Sequence, residues 1–130
     1  AKAQDLPKAQ VVGQLPREAL HRLMAESRAG VAASLCYESF ALVPAEAHAL
    51  GTPVLASGSG NVGASVRPGV DGLCFAPGDP AALAGAVRAM SAMQFDCTAI
   101  ASATRRRFSA EENYKTLLKL YGRRAAEEVS

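Results

Sequence analysis

Long apolar runs are missing from this chain of 130 residues. No stretch approaches the roughly 20 consecutive apolar residues that a membrane-spanning helix needs. The opening residues also lack the make-up of a signal peptide. An excess of one charge is missing as well. The formal net charge of +2 is too small to argue for a nucleic acid or a membrane surface as partner. Cysteine is scarce: Cys36, Cys74 and Cys97 are odd in number and scattered through apolar neighbourhoods. That usage predicts reduced, buried thiols and a cytoplasmic protein. No two cysteines or histidines stand at ligand spacing, so no metal site is expected. Internal repeats and low-complexity segments are absent too. What remains, 49% hydrophobic and 20% charged residues, fits a single soluble globular domain with a real core.

Strand and helix signals alternate along that domain. "AQVVG" (Ala9–Gly13) is a short β-branched run closed by glycine and predicts a strand. "PREALHRLMAES" follows, with Pro16 suited to a first helical position and Leu20, Leu23, Met24 and Ser27 on one face. "AGVAAS" (Ala29–Ser34) reads as a strand buried on both sides. Pro44 suits the first turn of the next helix, Gly51 its end, and Pro53 stops any continuation. "PVLAS" (Pro53–Ser57) and "GLCFA" (Gly72–Ala76) read as two further strands around a glycine-rich loop. Asp79 caps a helix that opens on Pro80, and Ser109 with Glu112 forms a capping box ahead of another. Between these two helices, Thr98–Arg107 is also expected to be helical. The order implies parallel strands joined by crossovers, an α/β Rossmann-like layer with helices on both faces. The tail from about residue 123 to 130 is polar and expected to fray. At the other end, "AKAQDLPKAQ" supplies no first strand, so the sheet is expected to start in the middle of a nucleotide-binding pattern.

One segment asks for a functional account. "YESFALVPAEAHALGTPVLAS" (Tyr37–Ser57) is apolar apart from Glu38 and Glu46, which have seven residues between them. In an open α/β sheet, ligands collect at the carboxyl ends of the strands. The backbone amides of Phe40–Val43, at a helix start on that edge, would attract an anion such as a diphosphate. Two carboxylates flanking a diphosphate could accept hydrogen bonds from the two sugars of a sugar nucleotide. The plainer account makes Glu38 an exposed loop residue and Glu46 an acid favoured by the helix dipole. Spacing alone leaves the two accounts level.

The same stretch resembles the Glu–seven–Glu signature of retaining GT-B glycosyltransferases, the large group 1 (family 4) set, whose usual form is E-G-F-G-L-x-x-x-E-A-x-A-x-G-x-P-V. Glu38, Phe40, Leu42, Glu46, Ala47, Ala49, Gly51, Pro53 and Val54 match it. "VVGQLPREALHRLMAES", "RPGVDGLCFAPGDPAALAGAV" and "FSAEENYKTLLKLY" are similar to flanking parts of the same family, in the same order. The resemblance implies a partial C-terminal, donor-binding domain of a GT-B fold spanning residues 1–130. It implies that Glu46 holds ribose hydroxyls and that Glu38 contacts the transferred sugar as the catalytic-site carboxylate. Backbone amides of Phe40, Ala41, Leu42 and Val43 would meet the diphosphate or sugar, and Gln14 and Leu15 the base. No cofactor or metal is implied, since helix amides and basic side chains neutralise the diphosphate. The complete enzyme, of the hexosyltransferase type, would move a sugar from a nucleoside diphosphate sugar to an acceptor hydroxyl.

The sequence departs from the family pattern in places. Ser39 and Ala41 replace two glycines beside the phenylalanine, adding bulk close to a ligand. Ala64 stands where the family commonly has a glutamate. The family's Gly-Arg and Lys-Gly elements and its N-terminal acceptor domain lie upstream of residue 1. The chain by itself is therefore expected to be inactive. A membrane-associated acceptor would be met through that missing domain. The apolar face of the last helix, Tyr114, Leu117, Leu118 and Tyr121, is expected to be exposed or covered by a second copy of the chain.

Two alternatives stand beside this reading: a sugar-nucleotide isomerase of the 2-epimerase kind, and a non-catalytic nucleotide-binding module. "SGSGNVGAS" lacks the Lys-Ser/Thr of a P-loop and reads as a flexible loop at the sheet edge. His48, two residues from Glu46, points away from it on a helix and reads as structural or superficial. Arg105–Arg107 reads as a solvated face.

Overall fold

The computed structural model describes residues 7–36 and 39–127, with the side chains of 123–127 left aside. Nine elements follow one another: α1 (Arg17–Glu26), β1 (Gly30–Ala32), α2 (Leu42–Ala49), β2 (Val54–Ser57), α3 (Gly60–Ala64), β3 (Gly72–Phe75), α4 (Pro80–Ser91), α5 (Cys97–Arg107) and α6 (Ala110–Glu127). The three strands form one parallel sheet in the order β1-β2-β3. Gly30 pairs with Val54, and Val54 in turn with Gly72. The expected α/β layer is therefore present.

The central strand explains the two-sided architecture. Val54, Leu55, Ala56 and Ser57 are all buried, and successive side chains leave opposite faces of the sheet. Val54 and Ala56 join Ala41, Ala47, Val62 and Val66 in one cluster, built with α2 and α3. Leu55 joins Phe75, Ala86 and Met90 in the other, built with α4. The strands lie close because Gly72 has no side chain: a Cβ there would collide with the carbonyl oxygen of Val54. Gly51, which ends the α2 turn at φ +86°, is similarly confined, for a Cβ would stand 2.7 Å from the Cys97 carbonyl oxygen.

Helix boundaries follow local chemistry. The Asp79 carboxylate accepts from the Ala81 and Ala82 amides at 2.8 and 3.0 Å, and Pro80 occupies the first position of α4. Asp96 caps α5 through the Ala99 amide, a cap the sequence reading did not identify. Ser109 Oγ accepts from the Glu112 amide at the start of α6. Pro16 is the residue before α1 rather than its first residue.

Three expectations are corrected. Ala9–Gly13 forms no strand; Val11 and Val12 are exposed, and among the described residues no strand lies beside them to complete a ladder. β1 is shorter than expected and half-buried, with Val31 exposed, because among the described residues it borders the sheet and pairs on one edge alone. The three cysteines are free, as expected, but exposed rather than buried. Cys36 lies in a loop, Cys74 points outward from β3, and Cys97 opens α5. Among the described residues no helix is long and apolar enough to cross a membrane.

Candidate functional site

Helix α2 divides the site into two sides. Pro44, Ala47 and His48 are buried, whereas Leu42 and Val43 are exposed and Glu46 is half-buried. Residues 42 and 46 stand four apart, so they share the outward side of the helix. Because β1 runs directly into the loop before α2, the helix begins at the carboxyl edge of the sheet. Among the described residues the N–H groups of Phe40, Ala41 and Val43 have no hydrogen-bond partner, and no side chain caps the helix. The Leu42 N–H instead donates to the Phe40 carbonyl oxygen at 3.0 Å. Three of the four expected amides thus have no partner among the described residues. The Glu46 carboxylate has no ion pair or hydrogen bond among the described residues, and its carbonyl oxygen accepts from the Leu50 amide at 3.2 Å. Glu38, the other carboxylate, lies outside the described residues. Gln14 is exposed and Leu15 half-buried in the turn that leads into α1, which touches α2.

The inward side of α2 meets a cleft of about 290 Å³. Ala41, Ala45 and His48 contribute from α2 and its cap, Phe40 from the loop, and Arg107 and Phe108 from the end of α5. Phe40 and Ala41 are therefore the two expected site residues that reach this cleft; Leu42, Val43, Glu46, Gln14 and Leu15 lie elsewhere. The Phe40 and Phe108 rings meet edge to face at 5.8 Å and 79°. The Arg107 guanidinium stands 5.2 Å from the centre of the Phe108 ring.

His48 anchors the floor of the cleft. Its Nε2–H donates to the Asp71 carbonyl oxygen at 2.9 Å, and that same oxygen accepts from the Val54 amide at 3.0 Å. A carbonyl oxygen cannot donate, so the hydrogen sits on Nε2. Burial pushes the His48 pKa below its ordinary value of 6.5, against the opposing pull of the Asp71 charge and hydrogen bond. The buried Asp71 carboxylate accepts from both Arg67 N–H and Arg67 Nε, each at 2.6 Å. Sequence reasoning passed over this knot; its signal was the i, i+4 pair in "RPGVD". The glycine-rich loop is also more ordered than expected. It turns into α3, where Val62 is fully buried and a Cβ on Gly63 would come within 2.9 Å of the Gly58 backbone. Arg105 is exposed, as expected of a solvated face, but its Nε donates to the Ala49 carbonyl oxygen at 2.9 Å and ties α5 to the end of α2. Among the described residues no group of three or more His, Cys, Asp or Glu is placed to hold a metal ion.

Comparison with known proteins bears on this geometry. Residues 1–111 match the family described as glycosyl transferases group 1. The chain is 41% identical over 93 residues to a D-inositol 3-phosphate glycosyltransferase of Geodermatophilus obscurus, covering 72% of this chain and 20% of that protein. It is 37% identical over 106 residues to a glycogen synthase of Mycobacterium tuberculosis, covering 82% and 25% respectively. The chain therefore spans a quarter or less of the curated relatives it matches. Among solved structures, a sucrose-phosphate synthase from Thermosynechococcus elongatus superposes with a TM-score of 0.65 at 32% identity, over 93% of this chain and 31% of that one. HepE of Anabaena in complex with UDP gives a TM-score of 0.65 at 25% identity, over 78% and 29%. HepE in complex with UDP-glucose gives 0.64 over the same shares.

Proposed function

Because the chain belongs to the group 1 glycosyl transferases, we propose that it is the donor-binding part of a retaining glycosyltransferase. The whole protein then moves a sugar from a nucleoside diphosphate sugar to an acceptor hydroxyl. The observation that carries this reading is the start of α2 at the carboxyl edge of a parallel sheet, where the amides of Phe40, Ala41 and Val43 lack partners among the described residues and the Glu46 carboxylate stands one turn on without an ion pair. A helix start of this kind attracts the diphosphate through its amides and dipole. Glu46, one turn on, accepts hydrogen bonds from the ribose. Glu38 accepts from the transferred sugar, and the Gln14–Leu15 turn faces the base. HepE, a structural neighbour, binds UDP and UDP-glucose, which favours a sugar nucleotide as the ligand here.

Amide resonances test the placement. Titrating the chain with UDP, GDP and ADP should shift Phe40, Ala41 and Val43 most strongly with at least one nucleotide. Shifts confined to residues away from α2 and the Gln14–Leu15 turn would overturn it. In the intact protein, the anomeric configuration of the product should equal that of the donor. An inverted product, or turnover without an acceptor, would contradict the transfer mechanism.

A further inference from the structure

The cleft on the inward side of α2 carries chemistry that the donor reading does not use. Two guanidinium groups, on Arg67 and Arg107, border it. Asp71 neutralises Arg67 through the 2.6 Å contact. Arg107 has no carboxylate partner among the described residues. His48 is uncharged near neutral pH, because burial disfavours its protonated form. The described lining therefore holds one uncompensated positive charge, at its mouth. Beside that charge stand two rings that are only half-covered: Phe40 is 51% exposed and Phe108 48%. A cleft of about 290 Å³ is at the small end of ligand sites, which run from about 300 to 1,000 Å³. It has room for one ring and a short substituent.

We propose that this cleft is a second binding site, for a small monocarboxylate with a flat apolar body. The carboxylate pairs with the Arg107 guanidinium, and the body lies against Phe40 and Phe108. Carboxylate pairing gives Arg107 the charge-assisted hydrogen bonds it otherwise lacks in the described structure. The rings supply the apolar contact that holds a body too small to bind by charge alone. This site shares Phe40 with the donor reading, through its ring rather than its amide, while Arg107 and Phe108, on α5 and its cap, take no part in that reading.

Three probes separate the contributions: benzoate, its uncharged analogue benzamide, and inorganic phosphate. Amide resonances of the chain should shift saturably with benzoate at Ser39–Ala41 and Ala103–Phe108. Benzamide and phosphate should each bind at least about tenfold more weakly, since one lacks the charge and the other the flat body. Arg107→Gln, an exposed change with the fold checked by circular dichroism, should weaken benzoate by about tenfold or more. Ala64→Glu brings a carboxylate into the lining and should abolish benzoate binding. No saturable shift, shifts elsewhere, benzamide or phosphate binding as well as benzoate, or Arg107→Gln binding unchanged would each overturn the proposal. None of these outcomes involves a nucleotide, so they leave the donor reading to its own test.

Discussion

Glu46 and His48 sit two residues apart on α2 and have opposite fates, one half-buried without a partner and the other buried and hydrogen-bonded. The spacing made that legible, since positions two apart on a helix diverge by about 200°. If Glu46 holds ribose in ground and transition states alike, Glu46→Ala in the intact enzyme should raise KM for the donor by roughly ten- to a hundredfold. Glu38→Gln should instead lower kcat, because the carboxamide keeps the shape and removes the charge. Steady-state kinetics on both variants decide this, and unchanged constants would leave the two glutamates as a loop charge and a helix-start acid. For His48 the sign of the pH effect follows from its lowered pKa. The unfolded chain binds the proton more readily, so stability contributed by neutral His48 is present above 6.5 and falls as pH drops below it. Urea midpoints measured at about pH 5 and about pH 7.5 should differ less in His48→Gln than in the parent. The sequence held no sign of the Asp71 carbonyl as partner, because backbone atoms recruited across 23 positions leave no side-chain pattern.

Helices were easier to read than strands, and the reason is local. Asp79 and Pro80 act within four residues of their targets, so "GDPAAL" is enough to start α4. Asp79→Ala should cost about 1 kcal/mol, measurable as a lower urea midpoint with unchanged slope. An unchanged midpoint would show that the cap adds nothing to the packing of Ala86 and Met90. Strands depend on neighbours, and "AQVVG" has the composition of a strand without one beside it in the described structure. Cysteine burial failed for a related reason, since apolar neighbours in sequence need not be neighbours across a core. α6 carries a stripe that nothing among the described residues covers. Tyr114, Leu117, Leu118 and Tyr121 are all exposed, from 40% to 68%. Such a stripe favours self-association. Sedimentation should show concentration-dependent assembly that Leu117→Lys with Leu118→Lys removes; a strict monomer at all concentrations would argue against it.

For the whole molecule, affinity depends on how many charged groups grip the diphosphate. The described outward side of α2 offers amides and no basic side chain within the stretch 40–46. Charge-assisted bonds contribute about 1.5–3 kcal/mol each, so nucleotides should bind this chain weakly. Calorimetry with UDP, GDP and ADP checks this; a Kd of about 1 μM or tighter would contradict it. The family and the α/β layer were legible because several motifs recur in order along the chain. The inward cleft was not, since Phe40 and Phe108 meet across 68 positions through α2 packing on α5.

Among the described residues, β2 alone contributes buried side chains to both apolar clusters. Neither face can come apart from the sheet without exposing that one strand. Amide hydrogen exchange should therefore run in a definite sequence, with α6 exchanging first and Val54–Ser57 last. The protein would then behave as one cooperative unit hung on four residues, and the free energy read from their exchange would equal that of global unfolding.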